Sequence, residues 1–198
     1  MSFIVLEGPD LSGKSFIIDK LKQYLVPSDR VRYIHEPGSS PFAEPQRALL
    51  KQIPVNVWAR QLLMQGSRYD MLDHHDWFID PDILWVVDRY VPSTIVYGTT
   101  DGVPLEVIQG MLKLFPVPTP DFTFVLVPTL STYKARILER SEFDALEDTP
   151  ERMIETLRRY QTMFNVFDGK KTLIHGDEII DIILGELEFD QHLTKFLQ

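Results

Sequence analysis

The stretch Gly8-Pro9-Asp10-Leu11-Ser12-Gly13-Lys14-Ser15 has the spacing G-x-x-x-x-G-K-S. That spacing makes a loop whose backbone N–H groups, from Leu11 through Ser15, converge on an anion. The helix that follows adds its N-terminal dipole at the same point. Lys14 supplies a cation for the outer phosphates of a nucleoside triphosphate such as ATP, and the Ser15 hydroxyl is placed to hold Mg²⁺. Asp10 is out of place in this chemistry, because a carboxylate repels a bare triphosphate. It is expected to face Arg89 or a sugar hydroxyl instead.

A second group of candidates lies at Asp88-Arg89, after the apolar run Ile83-Leu84-Trp85-Val86-Val87. Asp88 is placed to hold Mg²⁺ directly or through water; the alternative is a strand-end carboxylate paired with Arg89. The planar guanidinium of Arg89 suits bidentate contact with an acceptor phosphate. A third group is Lys134, Arg136 and Arg140. Arg136 and Arg140 are four apart and share a helix face, which makes either a cationic clamp on a transferring phosphoryl group or a solvated face balanced by Glu139 and Glu142. We read the clamp. The adjacent His74 and His75 point apart on a helix and make a poor metal pair, and Trp77, Phe78 and Trp85 read as core.

These groups need elements to hold them. Short apolar runs at Phe3–Leu6, Val31–Ile34, Ile83–Val87, Phe122–Val127 and Thr172–Ile174 read as buried strands. Between them, helical spacing covers Ser15–Leu21, Phe42–Lys51, Ser93–Thr99, Pro104–Leu114 and Ser131–Ser141. A long helix is expected from Val55 to about Phe78, with Val57, Trp58, Leu62, Leu63, Tyr69 and Leu72 on one broad face. Thr149 as N-cap and Pro150 open another, running to about Phe167. The tail Ile179–Leu197 reads as mostly helical, with Gly185 a weak point, and the acidic stretch Glu142–Asp148 as mobile. Alternating strands and helices predict an α/β fold with a parallel sheet, whose ligands bind at the C-terminal strand ends. The glycine loop, His35-Glu36 and Asp88-Arg89 all lie at such ends.

The bulk numbers agree. The 198 residues suffice for one domain, and 44% hydrophobic with 25% charged residues is ordinary for a globular chain. The net charge of −9 disfavours a large nucleic-acid footprint. Without cysteine there is no disulfide, thiol chemistry or Cys-based zinc site. No run approaches the roughly 18 apolar residues of a membrane helix, and we read a cytoplasmic protein.

The chain resembles the thymidylate kinase family of P-loop nucleoside monophosphate kinases, from Phe3 to about Phe164. The resemblance rests on Phe3–Asp10, on Glu36-Pro37-Gly38, on Leu62–Arg68, on Asp88–Tyr97, and on Pro120-Asp121 with Arg136–Glu147. It implies a P-loop kinase fold, with a central parallel sheet of about five strands and a short lid over roughly 136–150 in a single domain, 1–198. It also implies transfer of the ATP γ-phosphoryl to dTMP, Mg²⁺ as the metal, and a homodimer. Lys14, Ser15 and the loop from Gly8 would hold the donor phosphates, and Asp10 would meet the sugar 3′-hydroxyl or Arg89. Arg89 would bind the acceptor phosphate, with Glu36 and Ser93 beside it. Arg68 would meet the thymine carbonyl and Thr94 the ring N–H. Tyr97 would sit under the sugar, and Arg136 and Arg140 would close over ATP. The chain departs from the family at His35 for an arginine, Met64 for the aromatic that stacks on the base, and Gly98 for a glutamine. Leu11 and Ala145 stand where the family's branches carry an extra arginine. The soft Met64 implies relaxed base selectivity. Two rival readings are a kinase for another pyrimidine deoxynucleotide or for a hydroxymethyl-pyrimidine in DNA, and a non-catalytic nucleotide-binding module.

Overall fold

The computed structural model describes residues 2–26, 29–140, 149–175 and 179–198. Strands β1 (Phe3–Glu7), β2 (Val31–His35), β3 (Leu84–Asp88), β4 (Phe122–Leu126) and β5 (Lys171–Ile174) form one sheet in the order β2-β3-β1-β4-β5, every pair parallel. The helices are α1 (Lys14–Leu21), α2 (Ala43–Gln52), α3 (Val57–His74), α4 (Val91–Thr100), α5 (Leu105–Leu114), α6 (Leu130–Glu139), α7 (Pro150–Thr162) and α8 (Ile179–Phe189).

The central strands β1, β3 and β4 are buried on both faces, which is why they read as apolar runs, whereas the edge strands β2 and β5 are only partly covered. Their period of two divides the core. Ile4 and Leu6 of β1, with Val86 and Phe124, pack against Ile17 and Leu21 of α1 and Ile183 and Leu187 of α8. Phe3 and Val5 face the other way, with Val87, onto Met71 and Leu72 of α3. On that same side Val125 meets Ile95 and Val96 of α4 and Leu157 and Tyr160 of α7. Glu7 continues the Phe3-Val5 register, so the sheet drives a carboxylate under α4 and α7, where it is fully buried.

Three boundaries differ from the sequence reading. The long helix begins at Val57, where the Asn56 side chain accepts from the Trp58 N–H, and it ends at His74. Asp76, Trp77 and Phe78 then take φ of 49°, 54° and 59°, left-handed values that no right-handed helix can pass through. This turn seats Phe78 in the core. The helix opened by Thr149, whose side chain accepts from the Arg152 N–H, stops at Thr162. The tail helix stops at Phe189, and Gly185 lies within it.

The expected apolar face of α3 also resolves differently. Its inward face is largely polar, with Gln61, Gln65, Ser67 and Arg68 buried beside Met71 and Leu72. Trp58 and Leu62 are 47% and 61% exposed. The N-terminal half of α3 covers a polar cleft rather than the sheet, so Trp58 and Leu62 are left outside, while Val57 still packs against the core. The expected lid falls largely on residues 141–148, outside the described residues, as do Ala145 and the stretch Glu142–Asp148 that the sequence reading expected to be mobile.

Candidate active site

The C-terminal end of β1 feeds the glycine loop, and the loop's glycines are there for steric reasons. Gly8 has φ +141°, and a Cβ on it would lie 2.3 Å from the Leu126 carbonyl oxygen. Gly13 has φ +102° and precedes the first residue of α1. The Lys14 ammonium is folded onto the loop, donating to the carbonyls of Gly8 and Pro9 at 3.0 Å each. Burial, then the nearby Arg89 charge, lower its pKa from 10.5 to about 8. Arg136 of α6 reaches over the loop and donates from Nη1 to the Leu11 carbonyl at 2.8 Å.

Arg89 stands between this loop and the rest of the site. It follows β3 with φ +72°, an uncommon value for a side-chain-bearing residue, and its backbone N–H donates to Leu6 O at 2.9 Å. The guanidinium donates from Nη1 to Gly8 O at 2.9 Å and from Nη2 to Asp10 Oδ1 at 2.6 Å. Burial opposes its charge; Asp10, with Tyr97, Tyr160 and Asp88, together outweigh that, and the pKa is raised well above the ordinary value. The Tyr97 hydroxyl donates to Asp10 Oδ2 at 3.1 Å, and its ring carries the Arg89 guanidinium at 5.2 Å. Burial raises the Tyr97 pKa well above its usual value, so the phenol is neutral.

Two adjoining cavities meet at Asp10 and Arg89. The first lies over the glycine loop and is walled by Lys14, Ser15, Asp88 and Arg136. The second is walled by Glu36, Met64, Ser93, Thr94 and Tyr97, with Gln61 of α3 among them. The sequence candidates are therefore divided between a cavity over the loop and a second, the expected acceptor cavity, and the two share Asp10, Glu36, Arg47 and Arg89. Asp88 Oδ1 is buried and has no hydrogen-bond partner, and Asp88 lines the same cavity as Ser15. A hard divalent cation with oxygen preference fits that pair of donors.

Some candidates stand elsewhere. Gly8 and Ser12 support the loop from behind, Ser12 being 4% exposed. Arg68 is fully buried and lines neither cavity. It donates from Nε to Glu36 Oε2 at 2.8 Å and from Nη1 to Gln65 Oε1 at 3.0 Å, while Nη2 is shared between Glu36 Oε1 and Thr94 Oγ1. It reaches the acceptor cavity only through Glu36 and Thr94. α6 ends at Glu139, so Arg140 is an extended residue after the helix and does not continue the Arg136 face. His75 holds the Ser39 carbonyl at 2.7 Å, a structural task.

Sequence reasoning missed a second tier. Glu7 accepts from the Tyr90 N–H at 2.7 Å, the Ser93 N–H at 3.1 Å, the Ser93 hydroxyl at 2.7 Å and the Tyr160 hydroxyl at 2.8 Å. It thereby fixes the start of α4, next to Arg89. Asp101 binds Arg60 of α3 and Arg152 of α7, which places both arginines at the acceptor cavity. A carboxylate inside the first apolar strand was the available signal for Glu7. The Asp101 cluster joins three distant segments and left no local pattern.

The thymidylate kinase family model matches residues 6–183 of this chain. A thymidylate kinase from a Wolbachia of Brugia malayi is 30% identical over 73% of this chain and 73% of its own length. The probable thymidylate kinase of Pyrobaculum aerophilum is 32% identical over 74% and 75%. Among solved structures, the thymidylate kinase of Candida albicans superposes with a TM-score of 0.70 at 19% identity, covering 94% of this chain and 90% of that one. That of Ehrlichia chaffeensis gives 0.64 at 19% identity, covering 94% and 97%. The five-stranded parallel sheet with its glycine loop is the fold these structures share. A family match spanning nearly the whole chain, on a site whose loop, arginine and acceptor wall are all in place, makes this chain a member of the thymidylate kinase family.

Proposed function

We propose that the protein transfers the γ-phosphoryl group of ATP to dTMP, giving ADP and dTDP. The observation that carries this reading is the meeting of two cavities at the Asp10–Arg89 pair. One substrate end would lie on each side of the Arg89 guanidinium, with Arg47 also at the junction. The new bond forms between a 5′-phosphate oxygen of dTMP and the γ-phosphorus, and the bond from that phosphorus to the β-bridging oxygen breaks. The attacking oxygen belongs to a phosphate whose second pKa is about 6, so it is already ionised at neutral pH and needs no general base. The protein's work is to align two anions and neutralise their charge in a site shielded from water.

In this reading the loop from Gly8 to Ser15 cradles the donor phosphates and Lys14 swings from the Gly8 and Pro9 carbonyls onto them. Arg136 adds charge from α6, with Arg140 beyond the helix end as a second cation. Arg89 grips the acceptor phosphate, Ser93 steadies it, and Asp10 and Tyr97 line the sugar. Thr94 and Met64 meet the base, backed by Arg68 and Glu36. Ser15 and Asp88 would hold Mg²⁺, which when bound neutralises charge on the β- and γ-phosphates. Residues 1–198 act as one catalytic domain, in the cytoplasm where both nucleotides are used.

The same reading includes a homodimer. Trp58 and Leu62 on α3, with Leu49 on α2 and Ile53 just past its end, are apolar and exposed, which supports an interface there. Replacement of Leu62 by Arg should convert a dimer to a monomer in light scattering.

The functional test is an acceptor panel. The protein with ATP and Mg²⁺ is given dTMP, dUMP, dCMP, thymidine and hydroxymethyl-pyrimidine DNA, and ADP and phosphorylated product are quantified. Preferential formation of dTDP is expected. ATP binding without transfer to any acceptor would sink the proposal in favour of a non-catalytic module.

A further inference from the structure

Gln61 lies on the buried stripe Gln61, Gln65, Arg68 and Leu72 of α3 and is 3% exposed. Gln65 and Arg68 hydrogen-bond each other behind the acceptor cavity, whereas Gln61 is on the cavity wall itself. Its Oε1 is buried with no hydrogen-bond partner. Leaving a buried amide oxygen unpaired costs free energy, so an unpaired carboxamide oxygen on a residue of a cavity wall favours a ligand that can donate to it.

The neighbour across from Gln61 is Gly98 of α4. A Cβ at position 98 would lie 2.8 Å from Gln61 Nε2, 3.1 Å from its Cδ and 2.7 Å from Ile108 Cδ1. The absent side chain at Gly98 is what lets the Gln61 carboxamide lie there. Arg68, by contrast, spends its donors on Glu36, Gln65 and Thr94 and does not reach the cavity. The cavity wall thus carries the Gln61 carboxamide, whose oxygen is unpartnered, and the Thr94 hydroxyl, which already accepts from Arg68 and has its own proton to give.

We propose that Gln61 is a specificity-determining residue of the acceptor site, its Oε1 accepting the imide N–H of the pyrimidine base. This rests on the reading of the second cavity as the dTMP site. A base that presents an N–H there pairs with Oε1; one that cannot leaves the amide oxygen buried and unsatisfied, a strong basis for rejection.

The test uses the full-length protein and compares dTMP with its N3-methyl analogue, which lacks the imide hydrogen. The wild type should prefer dTMP by about 10-fold or more in kcat/KM. Gln61→Leu should raise the dTMP KM by about 10-fold or more, leave the ATP KM unchanged, and bring the two acceptors to within about threefold of each other. In the double variant Gln61→Ala with Gly98→Gln, the amide comes from α4 into the same space, and dTMP preference should return. That rescue would not follow from a purely structural role. An active wild type whose Gln61→Leu variant keeps the dTMP KM and the preference for dTMP overturns this inference alone. A wild type inactive toward dTMP overturns the functional reading instead.

Discussion

Asp10 Oδ1 and Arg89 Nη2 are 2.6 Å apart, although 79 residues separate them in the chain. The pair ties the glycine loop after β1 to the turn after β3, two strands that lie side by side in the sheet. Asp10, which lines both cavities, holds Arg89 in place and stabilises its charge; in the proposed reaction it serves the acceptor. Asp10→Asn should lower kcat by about 10-fold or more, and Arg89→Lys should cost more, because an ammonium lacks the guanidinium's fork. The effects should not add. A double-mutant cycle on kcat/KM for dTMP should return a coupling of about 0.5–3 kcal/mol, and strict additivity would remove Asp10 from this role.

Lys14→Ala removes the cation of the donor site without opening the sheet core. Transfer should fall by about 100-fold or more, as for loss of a preorganised charge at a phosphoryl centre. Circular dichroism should report the same fold, since burial already works against the Lys14 charge. A variant with near-normal turnover contradicts the mechanism.

The lowered Lys14 pKa, about 8 against 10.5 in a free lysine, sets a pH dependence. As pH rises through about 8 the free enzyme loses the Lys14 charge, so ATP affinity should fall. Stability runs the other way for this group. Between about 8 and 10.5 the unfolded chain binds the proton that the folded one has released, so its contribution to folding becomes more favourable as pH rises. Calorimetric titration with ATP at pH 7 and pH 9, with thermal melts at each, separates the two. The affinity decrease should be absent in Lys14→Ala.

Glu7 accepts four hydrogen bonds from Tyr90, Ser93 and Tyr160 inside the core. Glu7→Ala strands those donors, and a cost of about 3 kcal/mol or more is expected, lowering Tm by roughly 6–12 °C in a chain of this size. Tyr160→Phe removes one of these bonds and should cost about 1 kcal/mol. Urea titration measures both. If Glu7→Ala retains wild-type stability, the network does not hold α4 in place.

Arg136 reaches the Leu11 carbonyl from α6 at 2.8 Å. Arg136→Ala should reduce kcat/KM for ATP by about 10-fold or more with the dTMP KM unchanged, and Arg136→Lys should not restore it. Equal loss on both substrates would mean that Arg136 serves the cleft as a whole.

The sequence by itself determined the loop chemistry, the alternation of strands and helices, and the family. Those signals are local: the glycine spacing needs only neighbouring residues to make an anion cradle, and buried parallel strands announce themselves as apolar runs. It also marked Asp10, Asp88 and Arg89, because charges at strand ends of an α/β sheet fall at the ligand crevice. Only the tertiary structure decided which partners those charges took. Asp10 rather than Asp88 holds Arg89, Arg68 is withdrawn behind Glu36, Arg140 lies past the end of α6, and Gln61 occupies the space over Gly98. Apart from the local helix end at Arg140, each is a contact between segments far apart in the chain, set by strand order and helix packing, and no periodicity or spacing along the chain encodes it. The apolar stripe on α3 shows the same limit: its period predicted a helix correctly, but the polar cleft beneath decided which side faced inward.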